Sequence, residues 1–341
     1  MTLNLSNLCK YCGIFAFAIL VSLPAAMAAT PDEYEARISA DKRDVAAYIG
    51  LLDAQIAAGQ QKMAQTTQKR ALRYAKAKSQ KLVLRTQGIK IWRLSGDRKK
   101  ALREYRRGVK IKTPDSKADL HLAMARVYFD LRLFEEAKEM LRLSLDADAM
   151  NNEPAEALLA QAQMIERAIA ITQSSFAYAE TINREAVAHL LSQELSVAVY
   201  LDQPKAVSVG ETSDQGLTDY QDSEFKGDIL ATHRLNLRSF RITNGAFQPD
   251  KSMTRGELAL LVEDILYVKF GISRTAFIGS ASPFTDLSSN DTSFNSIMTS
   301  VTRGLMQGRE DGSIGPEELV SGAEAILVLH NLKQILKRES A

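Results

Sequence analysis

Residues 217–257 and 284–324 align without a gap at an offset of 67, so any fold for this chain has to build the same unit twice. Thr218-Asp219 falls on Thr285-Asp286, Gly245 on Gly312, Pro249 on Pro316 and Glu257 on Glu324. Apolar positions keep step as well: Leu230 with Ile297, Phe247 with Ile314, Met253 with Val320. The punctuation is helical. Thr-Asp reads as the N-terminal cap of a first helix, Asn244-Gly245 and Asp311-Gly312 as turns, while Pro249 and Pro316 keep the next residues extended. A second helix opens at Thr254 in one copy and Ser321 in the other, each three residues before a glutamate, the spacing of a capping box. A degenerate third copy lies upstream: at an offset of 71, Phe176 falls on Phe247 and Ile182-Asn183-Arg184 on Met253-Thr254-Arg255.

The amino-terminal half is helical by a different pattern. From Asp44 to Ala149 apolar residues recur at three and four, among Ala, Leu, Gln, Lys and Arg, with no strand alternation. Ala64, Ala101 and Ala137 recur at intervals of 37 and 36; Gly59, Gly96 and Arg132 precede them by five, and Ala71, Gly108 and Ser144 follow by seven. Small residues so placed let two helices of a hairpin approach closely, and glycine relieves the turn between them. Trp92, Tyr105, Tyr128 and Phe134 then fall where large side chains fill the spaces between hairpins. This pattern resembles the tetratricopeptide repeat, a helix-turn-helix of about 34 residues. The fullest copy spans Ala118 to Asn151, and Glu153 to Ile171, with Pro154 near its start, reads as a capping helix. The fold class expected is all-α: a helix-turn-helix solenoid followed by a second helical repeat domain.

That second domain resembles the S-layer homology domain, through Phe284-Thr285-Asp286, Gly245-Ala246-Phe247-Gln248-Pro249 and Thr254-Arg255-Gly256-Glu257. The resemblance implies non-covalent attachment to cell-wall polysaccharide or peptidoglycan in grooves between repeats, with the motif arginine meeting an acidic group of the glycan. Carried onto this chain, the glycan-binding candidates are Arg255, Glu257, Thr254, Arg184, Gly245 and Phe247. Only the middle copy keeps the whole motif, since Ala186 replaces the glutamate in the first and Gly322 the arginine in the last. The domains expected are tetratricopeptide-like repeats with their cap over 40–171, a partial S-layer-homology-like repeat over 172–200, and further copies over 214–270 and 281–336. The helix near 153–171 can belong to either module.

Residues 1–28 set the compartment. Lys10, an apolar run from Gly13 to Leu23 and Ala26-Met27-Ala28 read as a cleaved export signal, too short to span a bilayer. Both cysteines, Cys9 and Cys12, precede that run, so the mature chain carries no thiol or disulfide. Export to the periplasm or cell surface means that no nucleic-acid partner is expected, despite a dense cationic stretch. Lys62 to Lys112 holds 18 basic residues against Asp97 and Glu104 alone, while residues 171–341 are net acidic. Lys90, Arg93, Arg103, Arg107 and Tyr128 are the candidates for holding an envelope protein on the solenoid. No Gly-x-x-x-x-Gly-Lys, His-Glu-x-x-His or Gly-x-Ser-x-Gly motif occurs, and the four histidines lack metal-ligand spacing, so no enzyme activity, metal or cofactor is expected. The function expected is an exported, non-catalytic envelope adaptor, tethered by its carboxy-terminal repeats. Its alternative is a pure protein scaffold whose degenerate repeats no longer bind glycan. Loops at 201–218 and 271–283 are expected to be the mobile connectors.

Overall fold

The computed structural model describes residues 29–148, 152–195 and 217–338. The segment read as an export signal and most of the expected connector at 201–218 lie outside them. Among the described residues every regular element is helical, accompanied only by isolated β-bridges. The chain divides into two compact units between Val127 and Tyr128.

The first unit contains α1 (Pro31–Ala40), α2 (Val45–Ala57), α3 (Gln61–Tyr74), α4 (Lys78–Arg93), α5 (Arg98–Val109) and the greater part of α6 (Ala118–Asp130), within which the division falls. Its hairpin turns repeat in backbone geometry. Gly59 and Gly96 take left-handed φ of 68° and 63°, and Arg132, the third equivalent position, takes 58° in the second unit. After each, an N–H reaches back five residues to a helix carbonyl: Gln60 to Gln55, Asp97 to Trp92 and Leu133 to Tyr128, at 2.8, 3.1 and 2.9 Å. This is the Schellman closure, which satisfies carbonyls a helix end would otherwise orphan. Arg132 makes the turn without glycine's freedom, at a cost of about 1 kcal/mol.

The small residues are buried as their spacing requires. Ala64, Ala101 and Ala71 are fully enclosed, and a Cβ on Gly108 would lie 2.7 Å from Leu120 Cδ1. The two acids of the cationic stretch are both structural. Asp97 caps α5 by accepting the Lys100 N–H at 3.0 Å. Glu104 is buried and accepts from Arg85 at 2.7 Å, Arg107 at 3.0 Å and Gln68 Nε2 at 3.4 Å, tying α3, α4 and α5 together. His121 also packs, hydrogen-bonded through Nδ1 to the Tyr105 hydroxyl at 2.9 Å.

The second unit comprises α7 (Phe134–Ala147), α8 (Glu153–Thr172), α9 (Arg184–Leu195), α10 (Lys226–Arg234), α11 (Arg255–Phe270), α12 (Phe294–Thr302) and α13 (Gly322–Arg338). One core, with Leu191, Phe247, Leu261, Ile297 and Leu329 among its enclosed members, runs through it. α8 packs on α7 and on α13, so the helix assigned as a cap touches both kinds of repeat. The segment after α11, expected as a mobile connector, is instead held down. Arg274 Nη2 pairs with Asp264 at 2.8 Å, and the Phe277 N–H donates to Asn295 Oδ1 at 2.8 Å.

Candidate functional site

Three extended segments, one per repeat copy, meet in a ring of backbone hydrogen bonds inside the second unit. Ile182 N–H donates to Val320 O, Met253 N–H to Ile182 O, and Val320 N–H to Met253 O, each at 2.9 Å. These are equivalent positions in the three copies, so the ring has a pseudo-threefold axis, and the degenerate upstream copy takes its full place in it. Neighbouring bonds repeat the pattern: Arg184 N–H to Lys251 O and Arg255 N–H to Glu318 O, at 2.9 and 2.8 Å. Each segment then opens a helix through the same cap. Asn183, Thr254 and Ser321 accept from the N–H of Ala186, Glu257 and Glu324 at 3.0, 3.2 and 3.2 Å. Only the middle copy closes the capping box, with the Thr254 N–H returning to Glu257 Oε2 at 3.0 Å.

The Thr-Asp pair does not cap a helix. α10 and α12 begin at Lys226 and Phe294, several residues downstream. Asp219 instead accepts the N–H groups of Phe247 and Gln248 at 2.8 and 2.7 Å, and Asp286 those of Ile314 and Gly315 at 2.8 and 2.7 Å. A carboxylate taking two adjacent backbone donors clamps the Gly-x-Phe-x-Pro turn, whose N–H groups have no helix or sheet partner. Gly245 makes that turn with φ of 76°, and Phe247 is fully buried beneath it.

The motif arginines turn inward. Arg184 is 3% exposed; its Nη1 and Nη2 donate to the carbonyls of Ser239 and Arg241 at 3.2 and 3.3 Å, and its guanidinium lies over the Phe240 and Phe247 rings. Burial lowers its pKa, opposed by the Glu257 and Asp219 carboxylates. Arg255 is 8% exposed, donates to Gln307 O at 2.9 Å and pairs with Glu324 at 3.3 Å. Burial in turn raises the pKa of Glu324, with Arg255 and Arg309 opposing. Gln307 is the equivalent of Phe240 at the offset of 67, so both arginines reach the same loop of the following copy. In the third copy that space is filled: a Cβ on Gly322 would meet Phe176 O at 1.8 Å. No side chain fits there, which accounts for the glycine where the motif has arginine.

Beside the Arg184 loop lies a cavity of about 900 Å³, lined by His233, Asn236, Arg238, Phe240, Arg241 and Arg274 with Leu235, Leu260 and other apolar residues. Arg238 binds the Asp264 carboxylate through its own N–H and Nε, both at 2.7 Å, and also pairs with Glu263; Asp264 and Glu263 are almost fully buried. Arg241 and His233 have no such partner among the described residues. Thr232 Oγ1 is buried in the wall without a hydrogen-bond partner there. The lining thus joins the Arg241 guanidinium and polar side chains to an apolar, aromatic floor. Spacing alone did not reveal this set, because its members come from α10, the loop after it and the segment beyond α11.

The solenoid candidates come from three helices. Lys90 and Arg93 stand on α4, Arg103 and Arg107 on α5, and Tyr128 on the part of α6 in the second unit. Lys90 lies 4.0 Å from Asp53, and Arg107 is engaged with Glu104.

The family model of the S-layer homology domain matches residues 283–326. That stretch carries an S-layer homology domain. It covers the third copy, the one that lacks the motif arginine. Among curated proteins the chain is similar to Cell surface glycoprotein 1 of Acetivibrio thermocellus, 31% identical over 118 residues, which is 34% of this chain and 5% of that protein. The chain thus spans a small fraction of the length of the relative it matches. No solved structure matches. Among the described residues no helix is long and apolar enough to cross a membrane. The S-layer homology domain and the surface-glycoprotein relative together support a place at the cell surface or envelope.

Proposed function

We propose that the second unit tethers the chain to the cell wall by seating an acidic glycan in the cavity beside Arg184, and that the helical hairpins present a surface to an envelope protein. The carrying observation is the cavity's lining, where the side chains of Arg241 and His233 form no hydrogen bond or ion pair with any described residue, beside Arg238 and Arg274, whose charges Glu263 and Asp264 balance. Arg184 and Arg255, the arginines that the family resemblance singles out, act here as braces: their N–H groups hold backbone carbonyls of the next copy. Arg184 positions the Ser239–Arg241 loop, and so the cavity's edge.

The test is retention of the full chain on isolated cell-wall sacculi carrying their attached polymers. Replacing Arg241 and His233 by Ala together removes no hydrogen bond or ion pair to a described residue, and a charge-assisted hydrogen bond is worth about 1.5–3 kcal/mol, so retention should weaken roughly tenfold or more. Equal retention would remove the cavity from the account. The inward turn of both motif arginines favours one rival, a scaffold whose repeats have lost their glycan. On that reading the unaltered chain is itself retained only at background.

A further inference from the structure

Within the first unit, α3 and α5 are the second helices of two successive hairpins, and they turn the same charge pattern outward. Buried Ala64, Thr67, Gln68 and Ala71 set the packed side of α3; Ala101, Glu104 and Gly108 set that of α5. At 3.6 residues per turn, Lys62, Thr66, Lys69 and Arg73 stand on the opposite side of α3. At the repeat interval of 37, the same side of α5 carries Lys99, Arg103, Arg106 and Lys110. All of these positions are exposed, every one but Thr66 is a cation, and none is apolar.

The two rows belong to one face. Both helices pack on α4, and the Gln68 side chain of α3 reaches Glu104 of α5 at 3.4 Å. Gly88 of α4 makes room for that contact, since a Cβ there would lie 2.3 Å from Gln68 Nε2. Each row runs about 16 Å along its helix, with a cation at nearly every turn. Nothing nearby neutralises them. α3 and α4 carry no acid, Glu104 is buried and engaged with Arg85 and Arg107, and Asp97 is taken by Lys100. The side chains of the row cations form no ion pair with any described residue. Lys69 with Arg73, Lys99 with Arg103 and Arg106 with Lys110 are like-charge pairs one turn apart, an arrangement that destabilises a helix until an anion lies across it.

Charge with no apolar or aromatic residue among it narrows the partner. A folded protein is held by buried aromatic or aliphatic anchors inside a polar rim, and a helix that enters a bilayer needs the same kind of residue. Neither row has one. A layer of anionic headgroups needs none, because lipid phosphates that move laterally gather beneath cations wherever these stand. Two rows side by side also offer a surface more than they offer a single polymer chain, which follows one row. We propose that the α3–α5 face rests on an anionic phospholipid surface, adsorbed by charge alone. The contact does not depend on the cavity in the second unit.

The experiment is flotation of the full chain with vesicles of phosphatidylcholine alone, and with vesicles in which about a third of the lipid is phosphatidylglycerol, at about 0.05 M and about 0.5 M salt. Binding should require the anionic lipid and be released at the higher salt. Each Lys or Arg near such a surface strengthens partitioning roughly fivefold, so Lys99→Gln, Arg106→Gln and Lys110→Gln together should weaken it about a hundredfold. Lys62→Gln, Lys69→Gln and Arg73→Gln together should do the same. Glutamine keeps the helix propensity of the residues it replaces, and unchanged circular dichroism verifies the fold of each variant. Lys226→Gln, Lys337→Gln and Arg338→Gln, exposed in the second unit, remove equal charge elsewhere and should cost far less. No binding to anionic vesicles at low salt overturns the proposal, as does equal binding to neutral ones. An equal loss in the second-unit variant would reduce the effect to net charge and overturn it too. If vesicles are ignored while soluble polygalacturonate is bound and both row variants lose it, the face belongs to a polyanionic chain instead. Vesicles carry no wall glycan, so each of these failures leaves the cavity reading to its own test.

Discussion

Gly322→Ala is expected to destabilise the second unit by an amount that can be worked from the ring geometry. An added Cβ would lie 1.8 Å from Phe176 O, 2.8 Å from Phe176 C and 3.2 Å from Ala179 Cβ. The nearest atoms are backbone and cannot swing away, so restoring van der Waals contact requires a displacement of about 1 Å or more. That movement strains the packing by about 1–3 kcal/mol and loosens the 2.9 Å bond from the Gly322 N–H to Ala179 O, worth about 1 kcal/mol more. The total, about 2–4 kcal/mol, should lower the urea midpoint by roughly 1–2 M at a slope near 2 kcal/mol/M. Gly227→Ala in α10 is the control. Its Cβ meets nothing within 4 Å, so it should be neutral or stabilising by up to about 1 kcal/mol through the unfolded chain. The single tryptophan, Trp92, lies in the first unit, so its fluorescence transition should stay in place while the circular-dichroism transition of the second unit moves. If Gly322→Ala is as stable as the parent chain, the close approach is absent in solution, and sterics do not explain the missing motif arginine.

Asp286→Asn should cost about 1–2 kcal/mol, the lower part of the range for a clamp so exposed. Burial raises the Asp286 pKa, but the Ile314 and Gly315 N–H groups outweigh it and hold the carboxyl below its ordinary value of 3.8. Its contribution is therefore present above that pH and fades as pH falls through the folded-state value, so the gap to Asp286→Asn should close on acidification. His121 behaves in the same direction for a different reason. Burial, with Lys117 adding to it, lowers its pKa from 6.5, so below that pH the unfolded chain takes up a proton that the folded one refuses. Stability of the first unit should fall as pH drops below 6.5, and His121→Phe should flatten that part of the profile. Ala101→Leu should wedge the α4–α5 hairpin open at a cost of about 1–3 kcal/mol, visible in the Trp92 transition.

The repeats were legible because they are written in residues with a narrow backbone or volume role. Gly59 and Gly96 mark left-handed turns, Ala64 and Ala101 mark close helix approach, and the Thr254–Glu257 pair marks a helix start; each stands in the structure where its spacing puts it. Arg132 shows that the turn persists where glycine does not, which a residue-by-residue reading undervalues. The Thr-Asp pair was misread because a cap and a turn clamp use the same carboxylate chemistry. Only the long-range partners, 28 and 29 residues on, tell them apart. The roles of Arg184 and Arg255 were hidden for a related reason: a motif names the guanidinium, not the carbonyls that surround it. The cavity lining was the least legible, since Arg241, Arg274 and His233 have no common period and come together only through packing of the loop after α10.

The central claim is that the second unit holds an acidic cell-wall glycan. Its most direct test is co-sedimentation of the full chain at moderate salt with sacculi before and after their covalently attached polymers are stripped. The account predicts retention on intact sacculi, loss on stripped ones, and release by the freed polymer in solution. Retention at background on intact sacculi, or equal retention on both, would contradict it.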